Sequence, residues 1–182
     1  SAWNAYLSFF LVFAASIAYL VRRSPWLDRL AGACGETGVL FTTLTLVSGS
    51  LWARVAWNVW WAWDPRVTTT LILWFLYVGY LLLRASGEGD ERRSRIAAVF
   101  GILAFADVPV IHQSVRWWRS LHPNVLRPES PALPAEMLQV LAVAVLVMTC
   151  FNAYLILQRW HLGALEARVA WLRHRVREEV GA

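Results

Sequence analysis

The residues best suited to bind a ligand form a tryptophan cluster within residues 52–66. Five of the chain's twelve tryptophans lie there within twelve positions: Trp52, Trp57, Trp60, Trp61 and Trp63. A packed core favours side chains of varied volume, and each buried indole N–H needs a hydrogen-bond acceptor. So dense a set of flat, rigid rings therefore indicates a platform for a flat ligand. Membrane proteins also place tryptophans at the bilayer interface, but such a belt is distributed over several helix ends.

Helical spacing predicts that part of this cluster shares one surface. Trp57, Trp60, Trp61 and Asp64 follow an i, i+3, i+4, i+7 pattern, which is typical of one face of a helix. Asp64 followed by Pro65 is typical of an N-cap and a first helical residue, so the next helix is predicted to begin there. The cap gives Asp64 a sufficient structural role, and a direct role toward the ligand is secondary.

Of the four histidines, His122 is the candidate metal ligand. In a helix predicted to follow the fourth apolar segment, Ile111, Val115, Trp118 and His122 form one apolar stripe, which ends at the imidazole. Pro123 would stop that helix just beyond it. An interfacial amphipathic helix that carries a histidine by chance would give the same pattern.

The other histidines are weaker candidates. On a straight helix His112 would lie about 15 Å from His122, too far for both to bind one metal ion from opposite sides. We therefore interpret His112 as a packed or hydrogen-bonded residue. His161 and His174 fall in the polar C-terminal tail, where we expect them to be solvated.

Five apolar segments must position these residues. The hydrophobic class makes up 58% of the 182 residues and charged residues only 16%, which indicates a polytopic membrane protein. Segments of a length suited to a bilayer occur at residues 3–21, 30–51, 68–83, 96–111 and 135–157. We therefore predict an all-α polytopic transmembrane helix bundle that forms a single integral membrane domain, residues 1–182.

The arginines predict how this bundle is oriented. All seventeen cationic residues are Arg, and twelve of them lie in residues 22–29, 84–95 and 158–182. Because cationic loops stay in the cytoplasm, the tryptophan-rich segment 52–66 and the histidine-bearing segment 112–134 are predicted to face outward, and the tail 158–182 inward. Topology accounts for the basic charge, so no nucleic-acid partner is expected.

Four of the five outward arginines flank the two aromatic segments: Arg54, Arg66, Arg116 and Arg119. Guanidinium groups hold anions through charge-assisted hydrogen bonds. The residues alone leave two anions open, an acidic group on a ligand of the tryptophan cluster or the headgroups of membrane phospholipids.

Two long motifs resemble one known family. Residues 52–66 read Trp-Ala-Arg-Val-Ala-Trp-Asn-Val-Trp-Trp-Ala-Trp-Asp-Pro-Arg, which resembles the WWD signature of the bacterial haem-handling membrane proteins of cytochrome c maturation. Residues 109–122 read Pro-Val-Ile-His-Gln-Ser-Val-Arg-Trp-Trp-Arg-Ser-Leu-His, and this run is similar to the smallest members, the CcmC proteins. The motifs occur in the family's order, and the resemblance covers nearly the whole chain.

The resemblance implies that the chain binds haem at the outer face of the bacterial cytoplasmic membrane and delivers it to the haem chaperone CcmE. It further implies an assembly with CcmD and an ATP-binding cassette transporter formed by CcmA and CcmB, surrounded by membrane lipids. The ligand would be haem b, held transiently and without covalent bonds, with His122 as an axial ligand of the iron. The implied haem contacts are Trp52, Trp57, Trp60, Trp61, Trp63, Asp64 and Trp118, with Arg54, Arg66, Arg116 and Arg119 available for the propionates.

Two absent motifs limit the chemistry of the chain. No Cys-x-x-Cys-His run is present, which excludes covalent haem attachment of the c type. No Gly-x4-Gly-Lys-Ser/Thr motif is present either, so any ATP hydrolysis belongs to a partner and the chain is not predicted to be an enzyme.

The sequence departs from the family at its start. The resemblance implies a second axial histidine in an outward loop before residues 3–21, preceded by a sixth transmembrane helix. No histidine precedes His112 and the chain does not begin with Met, so we expect it to continue a longer protein; the alternative is a site with one axial ligand.

Two other functions remain open at this stage. One is a haem lyase that attaches haem to apocytochrome c, which larger relatives with the WWD signature perform with more spans and more histidines. The other is a lipid-facing structural subunit that binds no haem and uses its tryptophans as anchors.

Three further features have no assigned role. Glu36 and Asp107 are acids inside apolar segments, where carboxylates are functional candidates by default. Glu36 would contact a partner subunit or a ligand route, or would be protonated and bonded to a neighbouring helix backbone that Gly35 and Gly38 allow to come close. The tail carries an apolar stripe and would continue the last helix or lie on the membrane surface; its members are Leu162, Leu165, Val169, Leu172 and Val176.

Overall fold

The fold is a bundle of α-helices, known from a computed structural model that describes residues 1–85, 91–117 and 134–180. Within those ranges there is no β-strand. The helices are α1 (Ala2–Arg22), α2 (Pro25–Trp57), α3 (Pro65–Ala85), α4 (Glu91–Phe105), α5 (Asp107–Trp117) and α6 (Ala135–Val180). Five helical stretches are long and apolar enough to cross a membrane, and α4 with most of α5 forms one of them. The prediction of an all-α polytopic membrane protein with five spans is confirmed.

The helices are longer than the apolar segments that predicted them. The second segment was predicted at residues 30–51, whereas α2 runs from Pro25 to Trp57. Hydropathy marks only the part of a helix that lies in lipid. The helix itself begins earlier, at a proline in the first helical position, and ends later, among tryptophans typical of the membrane interface. The fourth segment is divided at Ala106, and α5 begins with Asp107 in its first turn.

The centre of the bundle is the antiparallel pair α1 and α2. Helix α4 packs against α1. Helices α3 and α6 both pack against α2, and helix α5 packs against α3. The Phe9 ring from α1 stacks on the Tyr77 ring from α3 with centroids 3.7 Å apart. Both rings are fully buried, so these two aromatic side chains join α1 and α3 in one core.

Two glycines let neighbouring helices come close to α2. A Cβ atom at Gly38 would overlap the Phe9 ring of α1, and one at Gly35 would lie 2.8 Å from Tyr80 Cε1 of α3. The sequence predicted that a helix backbone comes close at Gly35 and Gly38, whereas the structure places aromatic side chains there. The bulky partners on both sides are aromatic rings, which fill the space that a missing side chain leaves.

Buried polar side chains join α6 to α1. Asn152 Nδ2 donates to Ser8 Oγ at 3.0 Å, and Thr149 Oγ1 donates to Asn4 Oδ1 at 3.2 Å. Ser8 and Asn152 are almost completely buried. Hydrogen bonds of this kind hold transmembrane helices together where lipid provides no hydrophobic driving force between them.

Two ion pairs connect α2 to other helices. Arg84 of α3 forms two hydrogen bonds, of 2.7 and 2.9 Å, with the Asp28 carboxylate. Arg159 Nε of α6 donates to Glu36 Oε2 at 2.5 Å. The expectation that Glu36 bonds to a helix backbone is therefore wrong, because an arginine side chain from a helix more than a hundred residues away reaches the carboxylate.

Helix α6 is a single helix of 46 residues, about 69 Å long at 1.5 Å per residue. Near its middle, Gly163 lies beside Arg29 of α2, and α6 then continues to Val180. The first alternative for the tail, continuation of the last helix, is the one that the structure shows.

Candidate ligand-binding cavity

The tryptophan segment forms a cavity where α2 ends and α3 begins. We call it the tryptophan cavity; its volume is about 310 Å³ and Trp52, Trp57, Trp60 and Trp61 line it. Asp64 and Arg66 add polar groups to the lining, and α1 contributes Ala2 and Tyr6. The lining is predominantly apolar with a few polar groups, which is typical of ligand pockets of this size.

The end of α2 is set by a backbone reversal at Asn58. This residue has φ 58° and ψ 24°, a left-handed conformation that asparagine tolerates better than most residues do. Arg54 Nη1 donates to the Asn58 carbonyl oxygen at 2.9 Å and to its side-chain oxygen at 2.7 Å. The cation thus binds the carbonyl end of its own helix, where the helix dipole favours positive charge.

This reversal corrects one sequence prediction. Residues 58–64 are not helical, so Trp57, Trp60, Trp61 and Asp64 do not share the face of a helix. They nevertheless line the same cavity, because the segment after Asn58 folds back on α2. Ser50 Oγ donates to the Trp60 carbonyl oxygen at 2.6 Å and holds the returning segment in place.

Asp64 begins α3 as a helix cap. Its Oδ1 accepts the Arg66 backbone N–H at 3.0 Å, and its carbonyl oxygen accepts the Thr68 N–H at 2.9 Å. The predicted N-cap with Pro65 at the next position is confirmed. Asp64 is only 5% exposed. Because its carboxylate binds the Arg66 backbone N–H, the cap also fixes the position of Arg66 beside the cavity.

The indoles of the cavity differ in burial and in orientation. The Trp52 and Trp57 rings meet nearly at right angles with centroids 4.8 Å apart. Trp52 and Trp60 are more than half exposed. Trp61 is different, because its Nε1 is buried and has no hydrogen-bond partner within the described part of the chain. A buried N–H without an acceptor costs about 1–3 kcal/mol, so an acceptor from another molecule or segment would be favourable there.

The remaining predicted site residues are not all brought to the cavity. Trp63 is 75% exposed and makes an edge contact with Trp61 at 5.7 Å, but it does not belong to the lining. Arg54 is also outside the lining, with its guanidinium 5.8 Å from the Trp60 ring centre. The Arg116 side chain, Trp118, Arg119 and His122 lie outside the described residues, so their proposed haem contacts stay predictions.

The structure adds α1 to the site, which sequence reasoning had missed. Tyr6 lines the cavity and its ring lies 5.2 Å from the His112 ring of α5. His112 Nδ1 is 3.3 Å from the Val108 carbonyl oxygen, which agrees with its interpretation as a hydrogen-bonded residue. No local pattern marks Tyr6, because its neighbours come from segments far away in the sequence.

Asp107 lies at the start of α5. Its Oδ2 is buried and has no hydrogen-bond partner among the residues that the structure describes. Within those same residues, no group of three or more His, Cys, Asp and Glu side chains could hold a metal ion.

The described part of the site therefore offers aromatic faces and one cation, and it suits a flat, largely apolar ligand that carries an acidic group.

Five apolar spans and a tryptophan-lined cavity define a multi-pass α-helical membrane protein with an aromatic cavity between the ends of two helices. The family model described as heme exporter protein C matches residues 1–175, and the chain belongs to that family. It is 36% identical over 179 residues to heme exporter protein C of Bradyrhizobium diazoefficiens, covering 96% of this chain and 65% of the relative.

Other organisms also contain similar proteins. The chain is 34% identical over 121 residues to heme exporter protein C of Escherichia coli K12, covering 66% of this chain and 49% of that protein. It is 32% identical over 122 residues to a putative cytochrome c biosynthesis ccmC-like mitochondrial protein of Marchantia polymorpha, covering 67% of this chain and 51% of that one. The chain thus spans between about half and two thirds of the length of these relatives.

Proposed function

We propose that the chain binds haem in the tryptophan cavity and takes part in cytochrome c biogenesis by passing that haem to another protein. The observation that carries the proposal is the cavity itself, in which four indoles and Arg66 surround an apolar space. Haem has a flat, apolar macrocycle and two anionic propionates, so it matches both features. The relatives named above are a heme exporter protein and a cytochrome c biosynthesis protein, which supports the same function.

The described residues have distinct roles in this proposal. Trp52, Trp57, Trp60 and Trp61 contact the macrocycle, and the Trp61 N–H, which lacks an acceptor in the described structure, donates to a propionate or to another ligand oxygen. Arg66 pairs with a propionate through charge-assisted hydrogen bonds. Asp64 holds the Arg66 backbone and so positions the cation beside the cavity.

The iron ligand comes from outside the described residues. The Leu-His position of the family motif makes His122 the proposed axial ligand, since imidazole suits iron. A second axial histidine is proposed to lie upstream of Ser1. Haem b held by stacking and by one or two imidazoles, with no covalent bond, can be released again, which suits transient binding and hand-over.

The proposed recipient is the haem chaperone CcmE, and the proposed partners are CcmD and the CcmA–CcmB transporter, which hydrolyses ATP in place of this chain. We place the chain in the bacterial cytoplasmic membrane with the tryptophan cavity at the outer face, because the arginine-rich segments 22–29, 84–95 and 158–182 favour the cytoplasm. We propose that it binds and hands over haem without making a covalent bond to it, as a transfer protein and not an enzyme.

An absorption spectrum of the purified chain, preceded by its natural N-terminal sequence and supplied with haem, tests the proposal. We expect a Soret band that falls at least tenfold in His122→Ala and shifts or weakens in the double variant Trp60→Ala with Trp61→Ala. The matched control is Trp26→Ala with Trp171→Ala, which removes two indoles that do not line the cavity.

Three results would contradict this assignment. Unchanged haem content in both site variants would remove haem from the tryptophan cavity. Absence of any Soret band with added haem would favour a lipid-facing structural subunit. Haem attached covalently to apocytochrome c by the purified chain would favour a lyase.

A further inference from the structure

The end of α6 carries a two-heptad apolar stripe that is not covered within the described structure. Its members repeat at alternating intervals of three and four residues, the spacing of a and d positions in a coiled coil. Their exposure is between 45% and 56%: Leu162, Leu165, Val169, Leu172 and Val176. We call these five residues the α6 stripe. Apolar side chains in this register, on a helix that is already formed, fit a second helix laid alongside.

The position of the α6 stripe argues against the membrane surface as its cover. Gly163 of α6 lies beside Arg29 of α2. Beyond Gly163, helix α6 continues unbroken for 17 residues to Val180. That length corresponds to about 26 Å along the axis. A helix that is continuous with a transmembrane span leaves the bundle along the direction of that span, whereas surface binding needs a helix that lies in the plane of the membrane.

The charges beside the stripe argue against a second copy of the chain. With Leu165 and Leu172 at d positions, Arg168 falls at a g position and Arg173 at the following e position. Copies anchored in one membrane with the same orientation would pair in parallel, and parallel pairing places g of one helix against the next e of the other. Arg168 would then face the partner's Arg173 on both sides, so a homodimer would bring like charges together.

The flanking charges that remain available are positive. Glu166, at the other e position, already accepts a hydrogen bond from Arg159 of the same helix at 3.3 Å. Arg175 lies over the Trp171 ring at 5.0 Å. Within the described structure, Arg168 and Arg173 take part in no ion pair. These two arginines border the stripe on opposite sides and complement carboxylates of a partner.

We propose that the α6 stripe binds an acidic amphipathic helix of another protein in a short parallel or antiparallel coiled coil. Leu162, Val169 and Val176 supply the a layers, and Leu165 and Leu172 supply the d layers. Arg168 and Arg173 pair with Glu or Asp side chains at the e and g positions of the partner. This docking site lies far along α6 from the tryptophan cavity, and it does not depend on haem binding.

The test uses the full chain in phosphatidylcholine nanodiscs and two labelled four-heptad peptides. Both peptides have Val at a and Leu at d; one has Glu and the other Lys at every e and g position. We expect fluorescence anisotropy to show binding of the acidic peptide and to show binding of the basic peptide that is at least about tenfold weaker. Leu172→Asp should abolish binding, because it puts a carboxylate in the apolar layer.

Charge reversal makes the test specific. The double variant Arg168→Glu with Arg173→Glu should bind the basic peptide and lose the acidic one. Arg168→Glu alone should promote self-association in sedimentation measurements, because it converts both like-charged contacts of the homodimer into attractive pairs. Arg177→Glu makes the same charge change at a b position and should leave peptide preference as in the wild type.

Three outcomes would overturn the proposal. One is failure of the acidic peptide to bind, or equal binding of both peptides. The second is self-association of the wild-type chain that Leu172→Asp removes, which would assign the stripe to a second copy. The third is a Leu172-dependent change in tail tryptophan fluorescence when the chain meets phosphatidylglycerol vesicles, which would assign it to a lipid surface.

Discussion

Asp64 stabilises the first turn of α3 through one carboxylate oxygen, 3.0 Å from the Arg66 backbone nitrogen. Asp64→Ala removes this acceptor and should cost about 1 kcal/mol of local stability, the usual value of a helix cap. We expect faster hydrogen exchange of the Arg66 and Val67 amides. Asp64→Asn keeps an acceptor oxygen and should exchange nearly as the wild type does; equal rates in the two variants would argue against the cap.

At the scale of single residues, local chemistry could be predicted from the sequence and long-range placement could not. The Asp64 cap follows from neighbouring residues, and the structure confirms it. The helical face that was predicted for Trp57, Trp60 and Trp61 does not form, because spacing takes no account of the left-handed backbone at Asn58. Tyr6 was missed because only the packing of α1 against the α2–α3 connection brings it to the cavity.

Helix packing around α2 depends on the absence of a side chain at Gly38. Gly38→Ala would place a methyl group in the Phe9 ring, and overpacking of this kind costs about 1–3 kcal/mol. Gly49→Ala is the matched control, because a Cβ atom at that position of the same helix meets no atom within 4 Å. We expect thermal unfolding in detergent to show a clear loss of stability for Gly38→Ala and little change for Gly49→Ala.

A second substitution separates packing from helix propensity. Phe9→Leu removes ring atoms next to Gly38, so it should restore part of the stability that Gly38→Ala loses. Additive effects of Gly38→Ala and Phe9→Leu, with no restoration in the double variant, would show that the two residues do not compete for the same space.

At the scale of helices, the apolar segments predicted the number of spans but not the side-chain ion pairs that join one helix to another. Arg84 and Arg159 were assigned to polar segments outside the spans. In the structure, Arg84 binds Asp28 and Arg159 binds Glu36. An acid within a span indicates that a partner is needed, but the identity of that partner depends on the arrangement of helices in three dimensions.

For the whole molecule, orientation in the membrane is the prediction to test. In a variant that lacks Cys34 and Cys150, a single cysteine replaces Val59 next to the tryptophan cavity or Trp171 on the α6 tail. A membrane-impermeant maleimide added to intact cells, with the outer membrane permeabilised where there is one, should label Val59→Cys and not Trp171→Cys, because arginine-rich segments favour the cytoplasm. Cell lysis should make both reactive.

The opposite labelling pattern would place the tryptophan cavity on the cytoplasmic side and would contradict the proposed outward haem site. An odd number of membrane crossings separates the two positions, so they are expected on opposite sides of the membrane. Labelling of both positions in intact cells would therefore contradict the number of spans.

The unbroken length of α6 gives the bundle a mechanical property. It is bonded to α1 at Asn152 and to α2 at Arg159, and from Asn152 it extends 28 residues to Val180 and 17 residues to Ala135. These arms measure about 42 and 26 Å. A tilt of about 10° would therefore move the far end of the tail by about 7 Å and the other end by about 4 Å in the opposite direction. Because α6 is one unbroken helix, a displacement of one of its ends would be accompanied by a displacement of the other.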